Sequence, residues 1–203
     1  YPLLYYIRVK VLSFLLYKVV MRMADHVMVQ SEQMKIDMIA YGVPEKSLTA
    51  VPMGVPVELF EKTKHLIATK EGEVPDRVVY LGTLTRVRKL DFLVRAFAYV
   101  KKIRPNAELY LIGSGFDPKD EEFLKQEAQR LNILESIIFT GFLPMNKAWE
   151  VVATASVCVS PFYPTPILNS TSPTKLIEYM ALAKPVVVND HPEQRRVIAE
   201  SGA

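Results

Sequence analysis

From Asp76 onward, short apolar runs alternate with segments long enough for helices, and this rhythm constrains the fold more than any other feature. The runs are Val78–Leu81, Ala107–Ile112, Ile137–Thr140, Val157–Ser160 and Pro185–Asn189. Each is continuously apolar rather than alternating, as in a strand covered on both faces. Helices are expected after the loop Gly82–Lys89 to about Arg104, from about Pro118 to Leu131, from Pro144 to about Ala153, after Ser172, and from Pro192. Strands separated by helices imply right-handed crossovers. The expected fold class is therefore α/β, a doubly wound parallel sheet. Ligands of such sheets bind beyond the carboxyl ends of the strands, where Gly82, Gly113, Gly115 and Gly141 all fall.

A second, partial α/β domain precedes it. His26–Gln30 reads as a strand, Ser31 as the cap of a helix running to about Ala40 and stopping at Gly42, and Leu48–Pro52 as another strand. Residues 53–75, punctuated by proline and glycine, form the expected linker. The organisation is thus 1–52, linker 53–75, and 76–203 as the larger domain. The chain opens at Tyr1 and stops in mid-pattern, so a piece of a longer protein, cut at the C-terminus of the larger domain, is expected.

Residues 3–23 are apolar and aromatic, with Arg8, Lys10, Lys18 and Arg22 and no acid. Arg8, Lys18 and Arg22 fall within ~80° of a helical wheel. A helix packed on a domain with its basic face outward is the simpler expectation, and contact with an anionic membrane surface is the alternative. The longest uncharged run, Val11–Tyr17, is far too short to span a bilayer.

A net charge of +3, without basic runs interleaved with aromatics, argues against nucleic acid as a partner. Cys158 is the single cysteine, which excludes a disulfide framework and points to a reducing compartment. Set in an apolar run, it reads as an inert core thiol. His26, His65 and His191 lie far apart, and no metal-binding spacing occurs. Gly113-Ser114-Gly115 is followed at the third place by Pro118, so the dinucleotide fingerprint fails and an NAD site is rejected. Ser172-Pro-Thr-Lys175 matches the S-x-x-K nucleophile motif, but its Ser-Asp-Asn and Lys-Thr-Gly partners are absent.

The stretch Asn169–Val188 is the centre of the chemistry. Ser172 reads as a helix N-cap and Pro173 as the first helical residue. Lys175 then stands in the first turn, where the helix dipole disfavours a cation. A bound anion at the helix end would explain it, phosphate being the usual one. Glu178 follows one turn later, on the same side. A solvated lysine with a surface glutamate is the competing reading. The loop Gly82–Lys89 brings Arg86, Arg88 and Lys89 to the same rim, where two cationic loops could hold a diphosphate.

Ser172-Pro-x-Lys-x-x-Glu178-Tyr-Met-Ala with Lys184-Pro-Val-Val resembles the donor-site signature of the GT-B glycosyltransferases of family 4. Ala24-Asp25 with Ser31, Val51-Pro-Met-Gly-Val55 with Phe60, Tyr80-Leu-Gly-Thr-Leu with Arg88, Leu111-Ile-Gly-Ser-Gly115 and Phe139-Thr-Gly-Phe-Leu143 resemble its other landmarks, in order. The resemblance implies a Rossmann-like nucleotide-sugar domain preceded by the end of the acceptor-side domain. It implies that Arg88, Ser172, Thr174 and Lys175 hold the donor diphosphate and Glu178 the ribose. The base would lie near Phe142 and Leu143, with Gly113 and Gly115 at the rim. It further implies retaining transfer of a sugar from a UDP- or GDP-linked donor to a glycan or lipid acceptor, as in polysaccharide or glycolipid synthesis. No metal, no cofactor and no protein nucleophile are required. A cytoplasmic protein, associated with the inner face of a membrane, and inactivity of this piece alone are expected. Three positions depart from the family pattern: Thr83 replaces an arginine, Ser170 replaces the first glutamate of the E-x7-E pair, and Ala183 replaces a glycine. The first two motivate an alternative, a catalytically silent nucleotide-binding or scaffolding module. An epimerase related to the transferases is a third reading.

Overall fold

The computed structural model describes residues 2–58, 61, 65 and 73–202. Most of the linker expected at 53–75, with Phe60 and Gly72, lies outside the described residues. Five strands form one parallel sheet: β3 (Arg77–Leu81), β4 (Glu108–Ile112), β5 (Ile137–Gly141), β6 (Val157–Ser160) and β7 (Val186–Val188). Their spatial order is β5-β4-β3-β6-β7, so the winding reverses between β3 and β6. A smaller parallel pair, β1 (Val27–Val29) and β2 (Leu48–Ala50), flanks helix α2 (Glu32–Ala40). Ser31 caps α2 by accepting the Met34 N–H, as its sequence predicts.

The helices of the larger sheet divide between its faces. On one, α3 (Asp91–Ile103) and α4 (Pro118–Arg130) bury Leu93, Val94, Phe97, Leu124 and Ala128 against Tyr80, Leu109 and Leu111. On the other, α5 (Met145–Ala153) and a later helix, α7 (Thr174–Ala181), bury Trp149, Val152, Tyr179 and Leu182 against Val79, Ile112 and Cys158. Tyr80 and Val79 thus serve opposite cores, which is why no polar position interrupts the strand. Burial pushes the Cys158 thiol up to about 12, so it stays protonated and inert.

The short helix α6 (Pro166–Asn169), capped by Thr165, and α8 (Pro192–Ser201) complete the chain. The α6 helix was not anticipated, although Thr165-Pro166 is a start signal.

The N-terminal helix α1 (Pro2–Phe14) continues through a π-helical segment to Met23. Among its described side chains, those at its end pack on the rest of the fold: Tyr17 stacks on Tyr41 at 4.4 Å, and Met21 joins the small core around Val29, Val43 and Leu48. Arg8, Lys10, Lys18 and Arg22 are all exposed, as an outward basic face requires, and two of them also reach the neighbouring helix end. Arg22 turns back and donates to the Gly42 carbonyl at 3.0 Å, and Lys18 lies beside Gly42. Cations at a helix C-terminus complement its dipole, and Gly42 lies just past the end of α2. Among the described residues, no helix is long and apolar enough to cross a membrane.

The end of α7 carries a backbone strain that the sequence made visible. Ala183 has φ of 51°, in the left-handed region where alanine is disfavoured. Its N–H bonds to the Met180 carbonyl and that of Lys184 to Tyr179, the paired bonds of a Schellman end. Ala183→Gly should therefore raise stability by about 1 kcal/mol, read as a higher midpoint in urea.

Candidate functional site

The carboxyl ends of the strands open into a cleft of about 710 Å³. Its walls come from the loops after β3, β4 and β5, from the start of α7, and from Gln30 and Met53 of the smaller unit. Gly113 lets two of those loops meet. A Cβ there would stand 2.1 Å from the Gly82 carbonyl oxygen, too close for any side chain.

At the reversal point, β3 and β6 pair only through Val78–Val157 and Val79–Cys158 and then diverge. The Tyr179 hydroxyl fills the gap. It accepts the Leu81 N–H at 2.7 Å and donates to the Val159 carbonyl at 3.4 Å. This bridge anchors α7 to the sheet beneath the cleft.

The start of α7 differs from the sequence expectation by one residue. Pro173 flanks the helix rather than beginning it, and Ser172 is not its cap. The Ser172 hydroxyl instead accepts the Met53 N–H at 3.1 Å, tying the chain after β2 to the cleft wall. The Thr174 N–H is bonded to the Ser172 carbonyl at 3.0 Å, which closes a tight turn about Pro173. Thr174 thus lines the cleft with its backbone donor already engaged. Tertiary demand outweighs the local capping rule here.

Lys175 and Glu178 are both buried, at 9% and 5% exposure, so a solvated pair is ruled out. Burial, and then the charge of Arg88, push the Lys175 ammonium down to about 7, while Glu178 opposes the fall. Burial pushes the Glu178 carboxyl up to about 7, opposed by the charge of Lys175. The ammonium stands 4.6 Å from the ring centre of Phe162 and 5.4 Å from that of Tyr80. Among the described residues it has no oxygen partner.

Of the three cations expected at the rim, only Arg88 lines the cleft. Its Nε donates weakly to Thr83 Oγ1 at 3.4 Å, and its buried Nη1 has no partner. Arg86 turns away to Phe123 and Asp120, and Lys89 is exposed. Gly113, Gly115, Phe142 and Leu143 all line the cleft as well. Phe142 is mostly exposed, as is Phe116, a second rim aromatic that the sequence did not single out.

Ser170, where the family motif has a carboxylate, does not line the cleft. Its hydroxyl donates to Asp37 at 2.5 Å, and its carbonyl accepts from Ser31 at 2.7 Å. The Gln33 N–H donates to Glu193 at 2.9 Å nearby. Position 170 thus joins the two units.

Three residues behind the cations escaped the sequence reading. Phe162, His191 and Asn189 lie in loops, where no periodicity marks them. Asn189 holds the Phe162 peptide from both sides, its Oδ1 accepting the N–H at 2.7 Å and its Nδ2 donating to the carbonyl at 2.8 Å. His191 packs on the Phe162 ring with centroids 4.3 Å apart. Its Nδ1 caps α8 by accepting the Gln194 N–H, so Nε2 donates to the Leu168 carbonyl at 2.8 Å. Burial holds this imidazole below its usual pKa. No group of three His, Cys, Asp or Glu side chains among the described residues could hold a metal ion.

Comparison with known proteins agrees with this architecture. The chain resembles the D-inositol 3-phosphate glycosyltransferase of Stackebrandtia nassauensis, with 29% identity over 71% of the chain and 33% of that protein. It also resembles the mannosylfructose-phosphate synthase of Agrobacterium fabrum, with 24% identity over 78% of the chain and 36% of that protein. The chain thus spans about a third of these curated relatives. Anabaena HepE, solved with UDP and glucose, superposes with a TM-score of 0.72 and 16% identity, over 91% of this chain and 50% of that one. Sucrose-phosphate synthase from Thermosynechococcus elongatus superposes at 0.67 with 23% identity, over 89% and 44%. Residues 75–203, well over half of the chain, match the family described as glycosyl transferases group 1, and the chain belongs to that family, with the GT-B fold.

Proposed function

We propose that this chain is the donor-side part of a retaining glycosyltransferase, moving a sugar from a UDP- or GDP-linked donor to a glycan or lipid acceptor. One observation carries the reading. The Lys175 ammonium and Arg88 Nη1, both withdrawn from water, form no ion pair or hydrogen bond with an anionic group among the described residues, and Glu178 offsets the Lys175 charge only in part. Two such cations at the mouth of a cleft suit a diphosphate. UDP bound in the related HepE supports the nucleotide class.

In this reading Arg88 and Lys175, with the Lys175 N–H, hold the diphosphate. Ser172 shapes the wall and Thr174 the turn beneath it. Glu178 accepts from the ribose hydroxyls, and the base lies between Leu143 and the rim aromatics. As the bond from sugar to diphosphate breaks, negative charge gathers on the phosphate oxygens, where preorganised cations stabilise it. The fixed cations would make a metal unnecessary. The acceptor would be held by the rest of the acceptor-side domain, so these residues alone would be inactive.

Calorimetry on the full-length protein with UDP, GDP and ADP tests the reading. Binding of one of them is expected, and binding of none would sink it. Glu178→Ala should weaken the bound nucleotide by about 1–3 kcal/mol, the worth of a hydrogen bond to a charged group. An unchanged affinity would remove Glu178 from the site. Ser170, turned away from the cleft, favours one competing reading, a silent nucleotide-binding module. A product assay for sugar transfer by the nucleotide-binding protein separates the two.

A further inference from the structure

We propose that Phe162 is the positioning residue of the cation pair, an aromatic platform that holds Lys175 and Arg88 at the spacing an anion requires. The inference rests on the diphosphate reading for its physiological ligand but concerns a residue to which that reading gives no role.

Lys175 and Arg88 repel each other; Glu178 offsets this only in part, and among the described residues neither cation forms an ion pair with a carboxylate. Something must keep these like charges, one buried and one half-buried, from drifting apart when no anion lies between them. One ring is shared by both. The Lys175 ammonium stands 4.6 Å from its centre and the Arg88 guanidinium carbon 5.8 Å. The negative face of an aromatic ring attracts a cation at these distances, most strongly where water is excluded. Phe162 itself is 2% exposed.

The ring is fixed independently of the cations. Asn189 clamps its peptide with two hydrogen bonds, at 2.7 and 2.8 Å. His191 supports the ring at 4.3 Å, with both of its own nitrogens engaged. A side chain needed only to fill space requires no two-point backbone clamp. The arrangement fits a ring whose position must not vary.

The test uses the full-length protein, with inorganic pyrophosphate and UDP as probes. Phenylalanine at 162 is replaced by its mono-, di- and trifluorinated analogues, which keep the shape and drain the negative face. Affinity for pyrophosphate should fall stepwise, by about tenfold at three fluorines, with the unfolding temperature unchanged. Phe162→Leu should lose at least as much. Equal affinity across the fluorinated series would overturn the proposal, because packing alone predicts that result. Binding of pyrophosphate but of no nucleotide would overturn the nucleotide-sugar reading while the fluorine series still decides the role of Phe162. Binding of neither probe by the unaltered protein would overturn both.

Discussion

Replacing Lys175 by alanine is expected to lower the rate of sugar transfer by the full-length protein about 10²–10³-fold, the usual consequence of removing one preorganised charge stabiliser. The loss should fall on kcat and on UDP affinity together, because the ammonium meets the diphosphate before and during departure. Steady-state kinetics and calorimetry check it. A variant retaining more than a tenth of the activity would count against the role. The titration of this lysine gives the direction of the pH effect. Burial holds it down to about 7, so in the free protein the ammonium is lost as pH rises through neutrality. Bound anion favours the charged form, so affinity should decline from about pH 7 upward. Lys175→Arg, which cannot deprotonate in this range, should flatten that decline. Stability should move the other way. The unfolded lysine holds its proton up to about 10.4, so the unfolded state binds more protons between 7 and 10.4. The contribution of this group to folding therefore improves as pH rises across that window.

Ser170→Glu, which would restore the family's paired glutamates, is expected to destabilise the protein rather than improve it. The Ser170 hydroxyl lies 2.5 Å from Asp37 and is itself buried. A glutamate there would set a second carboxylate against the first, and among the described residues no cation pairs with either side chain. An unpaired, part-buried charge of this kind costs about 3 kcal/mol or more. Urea unfolding should show the loss, and Ser170→Glu with Asp37→Ser should recover most of it. Full stability of the single variant would mean that position 170 is free to point into the cleft.

How far the fold could be read from residues alone depended on the kind of signal. The strands of the larger sheet were legible because both of their faces are buried, which leaves long apolar runs such as Arg77–Leu81 with no polar break after its first residue. Lys175 was legible as a violation of helix electrostatics, and Ala183 as alanine where a turn wants glycine. The Ser172 cap was misread because the competing donor, Met53 N–H, lies 119 residues away and no local rule contains it. The reach of Lys18 and Arg22 to Gly42 was hidden for the same reason: the helix end that attracts them belongs to another element. Phe162, Asn189 and His191 carry no periodicity and assemble only when two loops meet. Sequence thus showed the charges of the site but not the scaffold that aims them.

The Tyr179 hydroxyl, wedged between diverging strands, has a consequence for aim. Apolar packing of a helix on a sheet fixes its distance more sharply than its roll about its own axis, because it is non-directional. Two hydrogen bonds at one azimuth, to Leu81 and Val159, stop that roll for α7. Lys175 lies four residues back, hence ~40° around the helix from Tyr179, and Glu178 lies ~100° away. With side chains ending ~6 Å from the axis, a roll of ~20° would sweep the ammonium ~2 Å sideways. Displacements of half that size can cost about a hundredfold in rate. The bearing of both charged groups is therefore set from underneath, by a residue that touches no ligand.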